Sequence, residues 1–266
     1  GNGLASFNSD GFTVNSNTGC NANAEDLVAW NWKANGAGSA NTDGSINSTV
    51  SVNTTAGFSI VKFTGTGANA TVGHGLGVAP KVVIVKRLNT TAQWNVYHAS
   101  LGNTGALYLN DNIAFNTVAG FWNNTSPTSS TFSLGTDAAG NGSGDTYIAY
   151  CFAEKTGYSK FGSYTGNGSN FDNTFVYTGF KPAFIMIKRS DGGGGTAQWL
   201  LMDSKRIGYN QANYRLYPNL NNVEITTDYI DILSNGFKIR DNGNDFGASG
   251  GSYIYMAFGQ SIVGSN

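Results

Sequence analysis

The stretch that decides the fold is "VAPKVVIVKR" at residues 78–87 with "TAQWNVY" at 91–97, because the chain writes it again as "GFKPAFIMIKR" at 179–189 and "TAQWLLM" at 196–202. Pro80 lies under Pro182 and Lys86-Arg87 under Lys188-Arg189, 102 positions on, whereas Gln93-Trp94 meets Gln198-Trp199 at 105. The difference sits in "SDGGGG" at 190–195, which lengthens one loop of the second copy. Farther along, "TFSLG…DTYIAYCFA" (131–153) matches "GFKIR…GSYIYMAFG" (236–259), Phe132 with Phe237 and Tyr147 with Tyr253. A fixed period marks a duplicated structural unit. Residues 57–153 and 157–259 are therefore two copies of one unit of about 100 residues.

A third, partial copy stands at the front. "GFTVNSNTGCNANAEDLVAWNWK" (11–33) overlays 131–153 without a gap, Phe12 with Phe132 and Trp30 with Tyr150, both at 120 positions. It copies only the closing part of the unit.

Within each copy the apolar period is two. In "LVAWNWK" the side chains of Val28, Trp30 and Trp32 share one face, and Ile148, Tyr150 and Phe152, then Ile254, Met256 and Phe258, repeat it. Alternation of this kind makes strands with one face in a core. "KVVIVKR" and "FIMIKR" are short β-branched or apolar runs ended by charge, as central strands are. No segment carries a capped helical pattern. The expected fold is all-β: tandem antiparallel β-sandwich domains, of jelly-roll or immunoglobulin-like topology, from the internal repeat. The small, polar run "ANGAGSANTDGSINSTV" (34–50) reads as a linker. The expected organisation is thus 1–50 as partial unit plus linker, 51–156 as the first sandwich and 157–266 as the second, with only "AEKTGYS" (153–159) between the last two and hence a fixed orientation.

Composition narrows the function. Charged residues are 12% of the 266, and fifteen basic against sixteen acidic residues leave a net charge of -1, so nothing favours nucleic acid or an anionic membrane. No window reaches the roughly 18 apolar residues of a membrane-spanning helix. With 37 Gly and 13% aromatic residues the chain is too apolar for disorder and suits short strands joined by turns. It opens on Gly1-Asn2-Gly3 without Met, which reads as a cut or processed end. Cys20 and Cys151 fall in different copies and recur in neither, so both are expected to be free thiols rather than a disulfide.

Chemistry-bearing motifs are few. His74 and His98 have no counterpart in the second copy and no Cys or carboxylate at metal-ligand spacing, so zinc is not expected. There is no G-x-S-x-G elbow for a nucleophilic serine, although sequence alone does not exclude a Ser-His-Asp triad built from distant residues. Glutamate occurs only at 25, 154 and 224, so a glycosidase pair would have to draw on aspartates such as Asp203, Asp228 and Asp231, which read instead as turn or solvated residues. "DNGNDFG" (241–247) fails as an EF-hand loop, since Gly243 stands at a ligand position and the closing Glu is missing, leaving only a looser oxygen cage. "FTGTGANA" (63–70) and "YTGNGSN" (164–170) look like phosphate loops but lack Lys-Ser/Thr and a following helix, and read as repeated hairpin tips. Sequons at Asn89 and Asn123 are what an Asn/Thr-rich chain produces. No catalytic, cofactor or metal residue is assigned.

"GHGLGVAPKVVIVKR", "WNVYHASLG", "TYIAYCFAEKTGYSKFGSYTGNGS" and "FVYTGFKPAFIMIKR" together resemble a repeat domain of tail-fibre and other structural proteins of tailed bacteriophages, especially marine ones. The resemblance covers about 57–259, and "DGFTV…LVAWNWKANG" looks like the end of a preceding copy. It implies a component of the virion surface, a tail-fibre or appendage subunit, and brings no catalytic or binding residues with it.

Three function classes follow. The first is a non-enzymatic virion structural protein that self-associates and contacts other virion proteins. The second is an adhesin for host surface glycans, because sugars stack on exposed aromatics. For that role Trp94 and Trp199, at matched positions, suit a core better, and Trp122, unmatched in "GFWNNTSPT", is the candidate ligand contact. The third is a polysaccharide-cleaving enzyme. The truncated front copy adds one expectation, that Val28, Trp30 and Trp32 form an assembly contact covered by a neighbouring subunit.

Overall fold

The computed structural model describes residues 3–192, 197–206, 210, 214–227 and 229–260. Its compact units are Gly1–Lys33 and Ala34–Asn266.

In the smaller unit β1 (Leu4–Phe7) and β2 (Phe12–Val14) form an antiparallel hairpin with Phe7 opposite Phe12. A single helical turn, α1 (Thr18–Asn21), follows. It starts where the Asn17 side chain accepts the Gly19 N–H at 2.9 Å, satisfying a donor that the helix itself leaves open. None of the described residues in this unit is a buried hydrophobic, and Leu4, Phe7, Phe12, Leu27 and Val28 are all exposed.

The larger unit opens with β3 (Ser39–Asn41), β4 (Ser48–Asn53), β5 (Phe58–Thr64), β6 (Ala70–Gly73), β7 (Val82–Arg87) and β8 (Trp94–His98). There follow β9 (Gly102–Tyr108), β10 (Asn116–Thr117), β11 (Thr131–Leu134), the one-turn α2 (Ala138–Asn141) and β12 (Thr146–Phe152). All but β6 and β11 join one sheet, in the order β10-β9-β8-β7-β12-β5-β4-β3, while β11 pairs with β6. The second repeat supplies β13 (Ser159–Thr165), β14 (Phe175–Tyr177), β15 (Pro182–Arg189), β16 (Trp199–Asp203), β17 (Arg215–Leu216), β18 (Ile230–Leu233), β19 (Gly236–Ile239) and β20 (Ser252–Gly259). These make a five-stranded sheet, β13-β20-β15-β16-β17, and a three-stranded one, β14-β19-β18. Every ladder between named strands is antiparallel, so the described chain is almost entirely antiparallel β.

The orders β9-β8-β7-β12-β5 and β17-β16-β15-β20-β13 correspond strand for strand. The Lys-Arg strands β7 and β15 thus occupy equivalent places, each flanked by its closing strand and its Trp strand. Tyr147 faces Phe63 and Arg87, and Tyr253 faces Tyr164 and Arg189. The ring of Tyr147 stacks on Phe63 at 5.2 Å and that of Tyr253 on Tyr164 at 4.9 Å. In each repeat the inward residues of the large sheet pack on the small one. Val61, Val83, Val85, Tyr147 and Ala149 meet Val72, Phe132 and Leu134, while Ile185, Ile187, Leu200 and Tyr253 meet Val176, Phe237 and Ile239. Each such side chain contributes about 1.5–3 kcal/mol by leaving water.

The glycine-rich phrases are close backbone crossings. A Cβ on Gly65 would stand 2.4 Å from the Gly142 carbonyl oxygen, and one on Gly166 2.5 Å from that of Ala248. Gly67 and Gly168 then turn the chain at φ of 74° and 75°, where L-residues are strained.

Two expectations are corrected. Residues 34–50 are no linker: β3 and the first half of β4 lie there, Ile46 and Val50 are in the core, and β4 covers the outer edge of β5. Residues 27–33 are no paired strand, for no strand or helix lies between Asn21 and Ser39. The counterpart β12 is hydrogen-bonded by β5 on one side and β7 on the other, and the described residues of the unit Gly1–Lys33 form no equivalents of those strands. The helical turn, by contrast, is copied: Asn17 and Asp137, 120 residues apart, each cap a turn by accepting the N–H two residues on.

Candidate functional site

The repeated phrase builds a clasp. In the first repeat the Trp94 N–H donates to Asn110 Oδ1 at 2.8 Å, and Asn110 Nδ2 donates to Gln93 Oε1. In the second, the Trp199 N–H donates to Asn219 Oδ1 at 3.1 Å and Asn219 Nδ2 to Gln198 Oε1 at 2.6 Å. Gln and Trp recur because one anchors the loop after the next strand and the other projects from the strand start. On the neighbouring strand, Lys86 and Lys188 each donate to the carbonyl of the following Arg at 2.8 Å.

This corner of the second repeat is docked on the first. Trp199 Nε1 donates to the Tyr108 carbonyl at 2.8 Å, Lys188 Nζ to that of Asn112 at 3.2 Å, and the Phe115 N–H to that of Ser190 at 2.9 Å. A fourth bond joins His98 Nε2 to the Tyr255 carbonyl at 3.2 Å. Beside them an aromatic cluster crosses between repeats, Phe58 on Phe152, and Phe152 against Phe161 and Phe258. Burial pushes Lys188 down to about 8, with Asp245, Asp111 and Asp191 holding it partly up. Burial likewise pushes His98 down to about 4. Its Nδ1 accepts from the Ser100 N–H, so Nε2 carries the proton of a neutral ring. His74 repeats this arrangement away from the junction: it accepts from Leu76, faces the Thr128 carbonyl, and is lowered chiefly by burial.

The remaining titratable groups proposed from sequence are in structural use. Asp203 is buried, which raises its carboxyl, but the N–H groups of Arg206 and Lys205 and the Arg206 guanidinium bring it below the usual range. Asp231 pairs with Arg240 at 3.1 Å, and Asp228 lies outside the described residues. In "DNGNDFG", Asp241 accepts from Gly243 and Asp245 from the Gln198 N–H. Among the described residues no group of three or more His, Cys, Asp or Glu is placed to hold a metal ion, and no helix is long and apolar enough to cross a membrane. Cys20 and Cys151 are free thiols, the latter fully buried and pushed up to about 12. A cleft of about 510 Å³ is lined by Phe180, Lys181, Pro182 and Lys205 among others, without a carboxylate, histidine or cysteine.

Trp122 is not a surface platform. It is 1% exposed, wedged between Phe121 at 4.5 Å and Tyr97 at 5.8 Å, and its buried Nε1 has no hydrogen-bond partner among the described residues. Trp199 is equally buried, whereas Trp94 is half-buried and stacked on Tyr150 at 6.4 Å. In the front unit Val28 is exposed and Trp30 and Trp32 are half-buried. The structure also exposes aromatics that sequence reading passed over: Phe175 and Tyr177, alternate residues of β14, and Phe171 just before them. The docking partners Tyr108, Asn112 and Phe115 were missed as well. A signal existed, since "LYLN" at 107–110 recurs as "LYPN" at 216–219.

One family model spans residues 1–261, front segment and both repeats together, and the chain belongs to that family, a domain of unknown function (DUF7483). No curated protein and no solved structure matches it.

Proposed function

We propose that this chain is a non-enzymatic structural protein of a tailed-bacteriophage virion, a tail-fibre or appendage subunit built from tandem β-sandwich repeats, displayed on the particle surface and associating with itself and with other virion proteins. The observation that carries the reading is the junction: Lys188 and Trp199, two residues of the phrase written twice, are spent on joining the second repeat to the first. Extended appendages need that kind of joint, and a catalytic site does not. The commitment of the histidines, Asp203, Asp231 and Asp245 to internal bonds points the same way. The exposed Leu27 and Val28 keep the front segment, with Val28, Trp30 and Trp32, as an assembly contact in this reading.

A second reading, a glycan-binding adhesin, is favoured by one observation. Phe175 and Tyr177 stand 44% and 64% exposed on the edge strand β14, a platform on which sugar rings stack. Incubating the full chain with host-surface polysaccharides separates the classes. The structural reading expects neither turnover nor retention; retention lost in Tyr177→Ala favours the adhesin, and release of shorter saccharides would sink both in favour of the third class, a polysaccharide-cleaving enzyme.

A further inference from the structure

The face that joins the second repeat to the first has a counterpart on the first repeat, and the loop that receives it has a counterpart on the second. The loop is matched by hydrogen bonding as well as by sequence. Asn116 pairs with Ala106 as Ile225 does with Arg215, 109 residues on in both strands, and the carbonyls of Tyr108 and Tyr217 accept the N–H three residues later at 3.1 and 3.2 Å. On this register Asn112 corresponds to Asn221, Ala114 to Val223 and Phe115 to Glu224. On the docking face, Lys188, Ser190 and Trp199 correspond to Lys86, Leu88 and Trp94.

Burial differs between the matched positions as it would between a mated and an unmated surface. Lys188 and Trp199 are fully buried, while Lys86 and Trp94 are half-buried; Ser190 is buried, while Leu88 is 51% exposed. On the loop, Asn112 and Ala114 are half-buried, while Asn221 is exposed and Val223 is 84% exposed. The 108–117 loop has its counterpart at 217–226 in the second repeat.

We propose that the chain binds further copies of itself head to tail, the Lys86, Leu88 and Trp94 face of one copy docking on the 217–224 loop of the next. This deepens the structural-subunit reading and rests on it. Three of the four junction bonds can be remade, because Lys86 Nζ and Trp94 Nε1 meet backbone carbonyls of Asn221 and Tyr217, and the Leu88 carbonyl meets the Glu224 N–H. The fourth is lost. His98 is replaced by Asp203, whose carboxylate accepts from Arg206 and has no proton for a carbonyl. Since face and loop are different patches, the contact does not close on a two-fold axis but propagates into a ring or a filament.

The test uses the full chain with Cys20→Ser, leaving the buried Cys151 in place. Leu88→Cys and Glu224→Cys are made on separate chains, mixed, and oxidised mildly. A Phe115→Cys, Ser190→Cys double variant controls for the geometry, since its backbone contact exists within one chain. The expected result is a disulfide-linked heterodimer from the mixture, at several times the yield given when either chain is mixed with one carrying Cys at the exposed turn residue Thr54. Sedimentation velocity should show a mass rising with concentration, with association weakened about tenfold or more by Trp94→Ala and by Val223→Arg. Val223 is exposed, so its replacement leaves folding intact. A mixture that yields no excess heterodimer while the control closes, or a wild-type chain monomeric at every concentration, overturns the proposal. A monomer at every concentration also removes self-association from the structural-subunit reading, but either failure leaves its virion-component claim standing, because that falls on saccharide turnover or on absence from the particle.

Discussion

Replacing the two matched tryptophans by alanine should have unequal effects, and the inequality measures the junction. Trp199 is 1% exposed and its indole N–H is bonded across to the first repeat. Truncating a fully buried Trp costs about 3–5 kcal/mol, and the Tyr108 carbonyl losing its donor adds about 1 kcal/mol. Trp94 stands in the same place in its own repeat but is half-buried. Roughly 100 Å² of lost burial at ~25 cal/mol per Å² gives about 2.5 kcal/mol. Urea unfolding followed by far-ultraviolet circular dichroism, which does not depend on tryptophan as a probe, compares them. Trp199→Ala should lower the midpoint much further than Trp94→Ala and separate the unfolding of the two repeats. Equal losses within about 0.5 kcal/mol would refute the idea that the second tryptophan serves the joint between repeats.

Other consequences are as specific. His98 is neutral when folded with a pKa near 4 against 6.5 when unfolded, so the unfolded chain takes up the extra proton: stability is complete above pH 6.5 and falls by on the order of 3 kcal/mol as pH drops to 4. Denaturation midpoints across that window should show the slope, made steeper by His74, and His98→Asn should flatten it. Gly65→Ala, which drives a Cβ into the Gly142 carbonyl, should cost about 1–3 kcal/mol in thermal melts, whereas Gly11→Ala, with nothing within 4 Å, should be nearly silent. Tyr147→Phe removes a hydroxyl that donates to Ala138 and accepts from Gly142, and should cost about 1–2 kcal/mol with Tyr253→Phe costing as much. A thiol reagent should label Cys20 on the native chain and Cys151 only after unfolding; prompt reaction of Cys151 would contradict its burial.

The repeat was legible because it is written in side chains that face the core: Phe132 with Phe237 and Tyr147 with Tyr253 keep period and partners in both copies. The strands at 39–53 were not, because β3 is polar and β4 mixes Ser and Thr with its valines, so their pairing is decided by the open edge of β5 and not by their own pattern. The reverse happened at 27–33, where alternation is present but the flanking strands that would use it are not in that unit. Trp122 looked exposed from its polar neighbours "NNTSPT", yet its environment comes from Tyr97, remote in sequence. The docking bonds join residues up to 157 apart, a distance over which no local pattern speaks, although the doubled "LYLN" phrase marked one of the acceptors, Tyr108.

The most direct test of the account is to image intact phage particles labelled with an antibody against this chain. A structural subunit predicts label at several copies along a tail appendage. Particles that carry none of the chain, while the protein accumulates elsewhere, would contradict it.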